Sequence, residues 1–396
     1  MAPLASGLFS RASFDSSITF GEFRDQWITP GDVFSILLIL GSDVVHCALA
    51  QLAGSGVAPV SFSFGWVAYS IAALSSAVGE NKLMPPDPDC KCKVINGRGG
   101  YVRDNSSWIL GRIVRDFGHW KDNEIQKKLD SVLDQKFEKM RMRDKDAERP
   151  PMAGLIVSIY EPSTSIPTGT VKRDMVYWMG LAVLVLQLAI ASVACGVYGE
   201  WGTLFVTVVG IVLSLATGLL PQWKKEKWAC RRKAKDSYIL TRGNGSQHAI
   251  VVRGNRRGFN LEDLASGQDN VMVATNLLTS IALLVLAVLW ILLLITAAGI
   301  KHNTWFLLAV GSIGILQNIY VAGAPRRPEN FGIPLDFVEV IGQPSTMETL
   351  LEVEEKYEKV GRSMLEEFFP GSLTGSEQER WDEIARNHGA AKKDAQ

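Results

Sequence analysis

The sequence predicts an all-α polytopic membrane bundle of about six transmembrane helices, with a small α+β cytosolic portion built from two long loops and the C-terminal tail. Three observations predict it. Of 396 residues, 47% are hydrophobic, and the mean hydropathy is positive, at +0.11, which sits on the membrane side of ordinary globular composition. Residues 175–198, 201–220 and 271–299 carry no Asp, Glu, Lys, Arg or His. Each reaches the roughly 20 residues needed to cross about 30 Å of hydrocarbon. The charges are also segregated along the chain. Because 41 Lys and Arg balance 41 Asp and Glu, the total excludes a basic nucleic-acid binder and an acidic disordered tail.

In chain order, residues 1–32 form an N-terminal arm without an uninterrupted apolar run of signal-peptide type, so the first span is expected to direct insertion. No lipidation motif is present. The first span, 33–53, contains Asp43, which costs about 2.5–3.5 kcal/mol, while eleven Val, Leu, Ile and Phe return roughly 0.3–0.6 kcal/mol each. Residues 57–79 and 303–322 are uncharged but rich in Gly, Ser and amides, as helices inside a bundle are. The segments 33–53 and 57–79 are joined by only Gly54-Ser55-Gly56, so a re-entrant hairpin is the alternative to two spans there.

Six spans leave connections near 54–56, 199–200 and 300–302 on one face. That face holds only Lys301, and the other holds 40 of the 41 Lys and Arg. The cluster Lys224, Lys225, Lys227, Arg231, Arg232, Lys233 and Lys235 follows the fourth span directly. Both termini are therefore expected in the cytoplasm, in a plasma membrane or an endomembrane. Trp27, Trp178, Trp201, Trp223 and Trp305 flank spans, where amphipathic rings prefer to lie.

In the loop 80–174, Ile125, Leu129, Val132, Leu133, Phe137 and Met140 recur at helical spacing over 121–145. This reads as an amphipathic helix lying on the membrane surface or on a partner. Residues 153–160 read as a strand. In the basic loop 221–270, the runs 237–242 and 247–253 flank Gly243-Asn244-Gly245-Ser246, a hairpin signal. Strands from both loops are expected to pair into one sheet. The tail, 323–396, offers two helices opened by capping boxes, Ser345 with Glu348 and Ser376 with Glu379, the second stopping at Asn387-His388-Gly389.

The sharpest chemical feature is Asp43 with His46, on one helix face at i,i+3. An acid and an imidazole at membrane depth suit a proton relay or a polar substrate contact, or else a pair that fixes packing. Gln51, Gln187, Asn276, Gln317 and Asn318 add intramembrane amides, for which helix-to-helix hydrogen bonding is the favoured role. The ladders Ala68-Ala72-Ser76 and Gly210-Ser214-Gly218 suit close helix approach, within the chain or between copies. Arg242, Asn244, Ser246 and His248 cluster at the hairpin turn and could hold a phosphate or a lipid headgroup, though a plain hairpin is the favoured reading. Cys90-x-Cys92 stands without a second pair, so no metal and no cofactor are assigned. There is no Gly-x-Ser-x-Gly elbow, no His-Glu-x-x-His and no paired acidic cluster in a span, which lowers the expectation of an enzyme.

PGDVFSILLILGSDVVHCALAQLAG at 30–54, FSFGWVAYS at 62–70, CKCKVINGRGGYVRDNSSWILGRIVRD at 90–116, LPQWKKEKWACR at 220–231 and LTRGNGSQHAIVV at 240–252 carry a resemblance. In these segments the chain resembles a family of uncharacterised multi-spanning membrane proteins of filamentous fungi. The resemblance implies a fungal host and membrane residence, and it supplies no activity. The reading that follows is a multi-pass protein whose bundle anchors a cytosolic domain. Its expected partners are the bilayer, a cytosolic protein or anionic lipid headgroups, and a second copy of the chain, with no nucleic acid. The alternative is a proton-coupled transporter or channel using Asp43 and His46.

Overall fold

A computed structural model describes residues 41–54, 56–79, 82–267 and 277–394. The helices in chain order are α1 (Ser42–Leu52), α2 (Gly65–Gly79), α3 (Trp108–Arg115), α4 (Phe117–Trp120), α5 (Asn123–Arg143), α6 (Met175–Tyr198) and α7 (Trp201–Gly218). They continue with α8 (Pro221–Lys227), α9 (Leu261–Ala265), α10 (Leu277–Ala298), α11 (Thr304–Gly323), α12 (Thr346–Lys356), α13 (Val360–Phe368) and α14 (Gly375–Asp394). The strands are β1 (Lys93–Asn96), β2 (Val102–Asp104), β3 (Ile156–Pro162), β4 (Tyr238–Thr241), β5 (His248–Val252) and β6 (Leu335–Gly342).

Four helices among the described residues, α6, α7, α10 and α11, are long and apolar enough to cross a membrane. Their 18 to 24 residues make about 27–36 Å at 1.5 Å per residue. Asp174 opens α6 by accepting from the Tyr177 N–H, and Gly199 in the left-handed region closes it. Trp178, Trp201 and Trp305 stand exposed at helix ends, as aromatic belts do. Trp223, by contrast, is buried and donates its indole N–H to the Thr217 carbonyl. Trp27 and Asn276 lie outside the described residues.

The first pair of predicted spans takes another form. Residues 57–64 are not helical, and α2 has only 15 residues, about 22 Å. The 57–79 segment therefore does not form a single spanning helix. The described part of 33–53 is α1, with 11 residues. The connection at Gly54 packs against Lys224 and Lys227. It thus lies beside the basic cluster, where six spans would set it on the opposite face.

The non-helical stretch is buried from Ala58 to Phe64, and it reaches the middles of the long helices. A methyl group added at Gly314 of α11 would collide with the Phe62 carbonyl, and one at Gly210 of α7 would strike the Phe62 ring. The ladder Gly210-Ser214-Gly218 thus receives this stretch along its length, since Gly218 in turn faces Ala58, with Leu49 of α1 beside it. Rings fill the remaining space: Trp290 of α10 lies between Phe62 and Trp66, at 6.1 and 5.4 Å between centroids and nearly parallel to both.

Six strands form one sheet in the order β2-β1-β4-β5-β3-β6, antiparallel except for β3 beside β5. It unites the two long loops, as expected, and adds β6 from the tail, where only helices were expected; the expected hairpin pairs Tyr238 with Val252 and Thr241 with Ala249. The period of two divides its faces. Val94, Leu240, Ile250 and Val252 belong to a core that continues into the bundle. Ile95, Ile239, Ala249, Val251 and Ile341 face Leu350, Met364 and Trp381 of the tail helices.

The amphipathic helix α5 docks on this sheet, against β6 and β3. Ile125, Leu129 and Val132 are buried there, so the first half of its apolar stripe is covered by its own chain, while Met140 near its end is exposed. The tail also departs from its capping boxes. Ser345 precedes α12 but makes no side-chain cap, and Glu348 pairs with Arg380. The next box lies two residues earlier than expected, where Thr374 donates N–H and hydroxyl to Glu377 at 2.8 and 2.7 Å. Helix α14 runs through Gly389 to Asp394.

Candidate functional site

The polar side chains of the bundle converge on the buried stretch before α2. Unpaired backbone groups cost several kcal/mol each in hydrocarbon, so irregular backbone there must be covered by protein groups. Asn318 supplies both halves of a strand-like pair: its Nδ2 donates to the Ser61 carbonyl at 3.0 Å, and its Oδ1 accepts the Ser61 N–H at 3.1 Å. Trp66 adds an indole N–H to the same carbonyl at 2.9 Å. Gln187 donates to the Phe62 carbonyl at 2.7 Å and the Val310 carbonyl at 2.9 Å. Asn318 thus serves the non-helical stretch, while the Gln187–Val310 bond joins α6 to α11, helix to helix. Gln317 is buried, and its Nε2 has no partner.

Asp43 and His46 occupy α1, but the geometry does not join them in a relay. Asp43 is exposed, while the His46 Nε2 lies 2.7 Å from the Leu83 carbonyl. Tyr69 and Trp223 flank the imidazole, at 5.5 and 6.4 Å between centroids.

The densest cluster of buried charge lies where the long helices meet the sheet. It begins at the open carbonyls of the α1 C-terminus, which need donors and attract cations. Lys227 donates its Nζ to the carbonyls of Ala50, Gln51 and Ala53, at 3.3, 3.1 and 3.0 Å. Arg326 donates to Gln51 O at 2.7 Å and grips Asp174 with two nitrogens, at 2.7 and 3.0 Å. The Gln51 amide in turn reaches the Val321 and Ala324 carbonyls at the end of α11. Asp174, the cap of α6, thereby links the starts and ends of three helices.

A second layer surrounds this one. Arg112, buried on α3, contacts Asp89 at 2.7 Å, donates to the Ala322 carbonyl and lies 4.5 Å over the Trp108 ring. Asp116 accepts from the Arg326 N–H at 3.1 Å and from Arg115 at 2.7 Å. Glu226 accepts the N–H groups of Leu83 and Met84 and the Gln222 amide. Burial raises the Glu226 carboxyl above its ordinary range, opposed by those hydrogen bonds. Burial first, and Arg326 second, push the Lys227 ammonium down to about 7.

Sequence reasoning counted Lys227 and Arg326 among the cytosolic charges and missed their burial. The available signal was position, because each lies within a turn or two of a span's end, where helix carbonyls are open.

The hairpin residues come together around one cleft. At the tip, the Asn244 N–H goes to Glu367 at 3.2 Å, and Glu367 also holds Lys93 at 2.9 Å. The Ser246 hydroxyl donates to the His248 carbonyl at 3.0 Å. All four residues, Arg242, Asn244, Ser246 and His248, border this cleft, of about 480 Å³, on the bundle-facing side. All five cysteines are free, and burial pushes Cys92 and Cys230 up to about 12, against thiolate chemistry. Among the described residues, no group of three His, Cys, Asp or Glu is placed to hold a metal. Comparison with family models, characterised proteins and solved structures gives no match to this chain.

Proposed function

We propose that this chain is a multi-pass integral membrane protein whose bundle rigidly anchors a cytosolic sheet domain, and that the domain recognises anionic lipid headgroups or a protein partner. One observation carries the reading. A single buried core runs from Leu184, Val206 and Val310 in the bundle, through Trp223 and Phe331, to Val94, Leu240 and Ile250 on the sheet. Pure carriers keep connecting loops short and a passage between helices. Here an aromatic stack occupies the bundle's middle, and the loops build a sheet.

In this reading four helices span, and 57–79 enters from the cytosolic face as the non-helical stretch and returns to it as α2. Both termini and both long loops are cytosolic, and the 199–200 and 300–302 turns face away. The segregation of Lys and Arg supports this orientation. Membership of the fungal membrane family that the motifs resemble is part of the same proposal.

The test is alkaline extraction of membranes, followed by thermal unfolding of the full chain in mild detergent. The reading expects retention in the pellet and one cooperative transition reported equally by Trp290 of the bundle and Trp381 of the tail. Release by alkali, or separate transitions for the two tryptophans, would overturn it.

A further inference from the structure

The cleft beneath the β4–β5 hairpin offers unmet polar groups on an apolar floor. Leu240, Ile250, Phe117 and Met152 line that floor. The pairing of Thr241 with Ala249 sets Arg242 beside His248 on the same face, one step further along the ladder. The Arg242 side chain is exposed and has no hydrogen-bond or ion-pair partner among the described residues. The His248 Nδ1 is buried and also unpartnered. Burial, with Lys121 and Arg242 nearby, holds the imidazole down to about 4, so it is neutral at pH 7.

Two further contacts locate the cleft and its charge. Arg115, which lines it, donates to the Gly323 carbonyl at 3.2 Å, at the last residue of α11. The cleft is therefore within one side chain's reach of a span's end, at the level where headgroups lie. Glu367 already serves the hairpin tip, so the free charge is on the cleft side.

We propose that this cleft binds a phosphate group carried on an apolar body, with Arg242 pairing the phosphate, the His248 Nδ1 bonding one of its oxygens, and Leu240, Ile250 and Phe117 holding the apolar part. A guanidinium forks onto two phosphate oxygens and leaves a third for the imidazole. The ligand is either a phospholipid of the adjoining leaflet or a soluble phosphorylated compound. The inference deepens the anchor reading, and rests on it only for the closeness of lipid.

The experiment is calorimetric titration of the full chain in neutral detergent with dioctanoyl phosphatidic acid, dioctanoyl phosphatidylcholine and inorganic phosphate. Phosphatidic acid is expected to bind saturably, at least tenfold more tightly than phosphatidylcholine, whose choline covers the phosphate. Arg242→Gln, at an exposed site, and His248→Phe should each weaken it tenfold or more while the thermal transition is kept. Inorganic phosphate, which lacks the apolar part, is expected to bind markedly more weakly than phosphatidic acid, and binding as tight would leave Leu240, Ile250 and Phe117 without a role and overturn the proposal. No saturable binding by any of the three, or unchanged affinity in Arg242→Gln, overturns the proposal. Alkaline extraction tests the anchor reading separately, so the two failures are distinguishable.

Discussion

Arg326 and Lys227 illustrate what a buried cation requires. An isolated ammonium or guanidinium would lose several kcal/mol on leaving water, and partners must replace that hydration. Arg326 has a bidentate carboxylate and a carbonyl, so removing the carboxylate leaves an uncompensated charge. Asp174→Ala is expected to destabilise the chain by about 3–5 kcal/mol, read as a fall in Tm in detergent. Asp174→Asn, which retains an acceptor for the Tyr177 N–H, should lose most of the same amount.

Lys227 has three carbonyls and no carboxylate among its hydrogen-bond partners, and it titrates near 7, against about 10.4 in an unfolded chain. Between those values the unfolded state binds more protons, so this group's contribution to stability rises with pH. The slope approaches about 1.4 kcal/mol per unit. Denaturation midpoints from pH 7 to 9 should show this rise in the native chain and a flatter profile in Lys227→Met. Equal slopes in the two proteins would contradict the assignment.

Among the elements, the non-helical stretch before α2 depends on glycines that admit it. Gly314→Ala would drive a methyl group into the Phe62 carbonyl, with an expected cost of about 1–3 kcal/mol or more for overpacking. Hydrogen exchange at Ser61 to Phe64 should rise while the exchange of α6 stays low. The tail helices cover the outer sheet face through Trp381, which is 2% exposed. Trp381→Ala should cost about 3–5 kcal/mol, measured by the same unfolding.

The four long helices and the β4–β5 hairpin were legible because each is signalled locally, by an unbroken apolar run or by a Gly-Asn turn. For 33–53 and 57–79 the sequence left two spans and a re-entrant hairpin both open. Phe62, Phe64 and Trp66 read alike as lipid-facing residues or as a packed plug, and only the facing Gly210 and Gly314, some 150 and 250 residues away, decide between them. Asn318 and Gln187 were visible as intramembrane amides, but their target was hidden for the same reason. The cap at Thr374 was missed because Ser376 offered an equally good capping-box pattern two residues on.

For the whole molecule, one buried core joins the four long helices to the sheet, so the sheet domain is fixed to the bundle and is not a tethered module. Such an arrangement fixes the hairpin cleft relative to the long helices. It also makes the path of residues 53–83 the central claim, because both ends of that stretch must lie beside α8. Val57, which is 41% exposed, reports on it. The decisive measurement is labelling of Val57→Cys by a membrane-impermeant thiol reagent in sealed vesicles, in a cysteine-free background. Lys233→Cys and Lys301→Cys serve as references for the two faces. The account predicts that position 57 reacts from the same side as position 233, whereas reaction from the side of position 301 would contradict it.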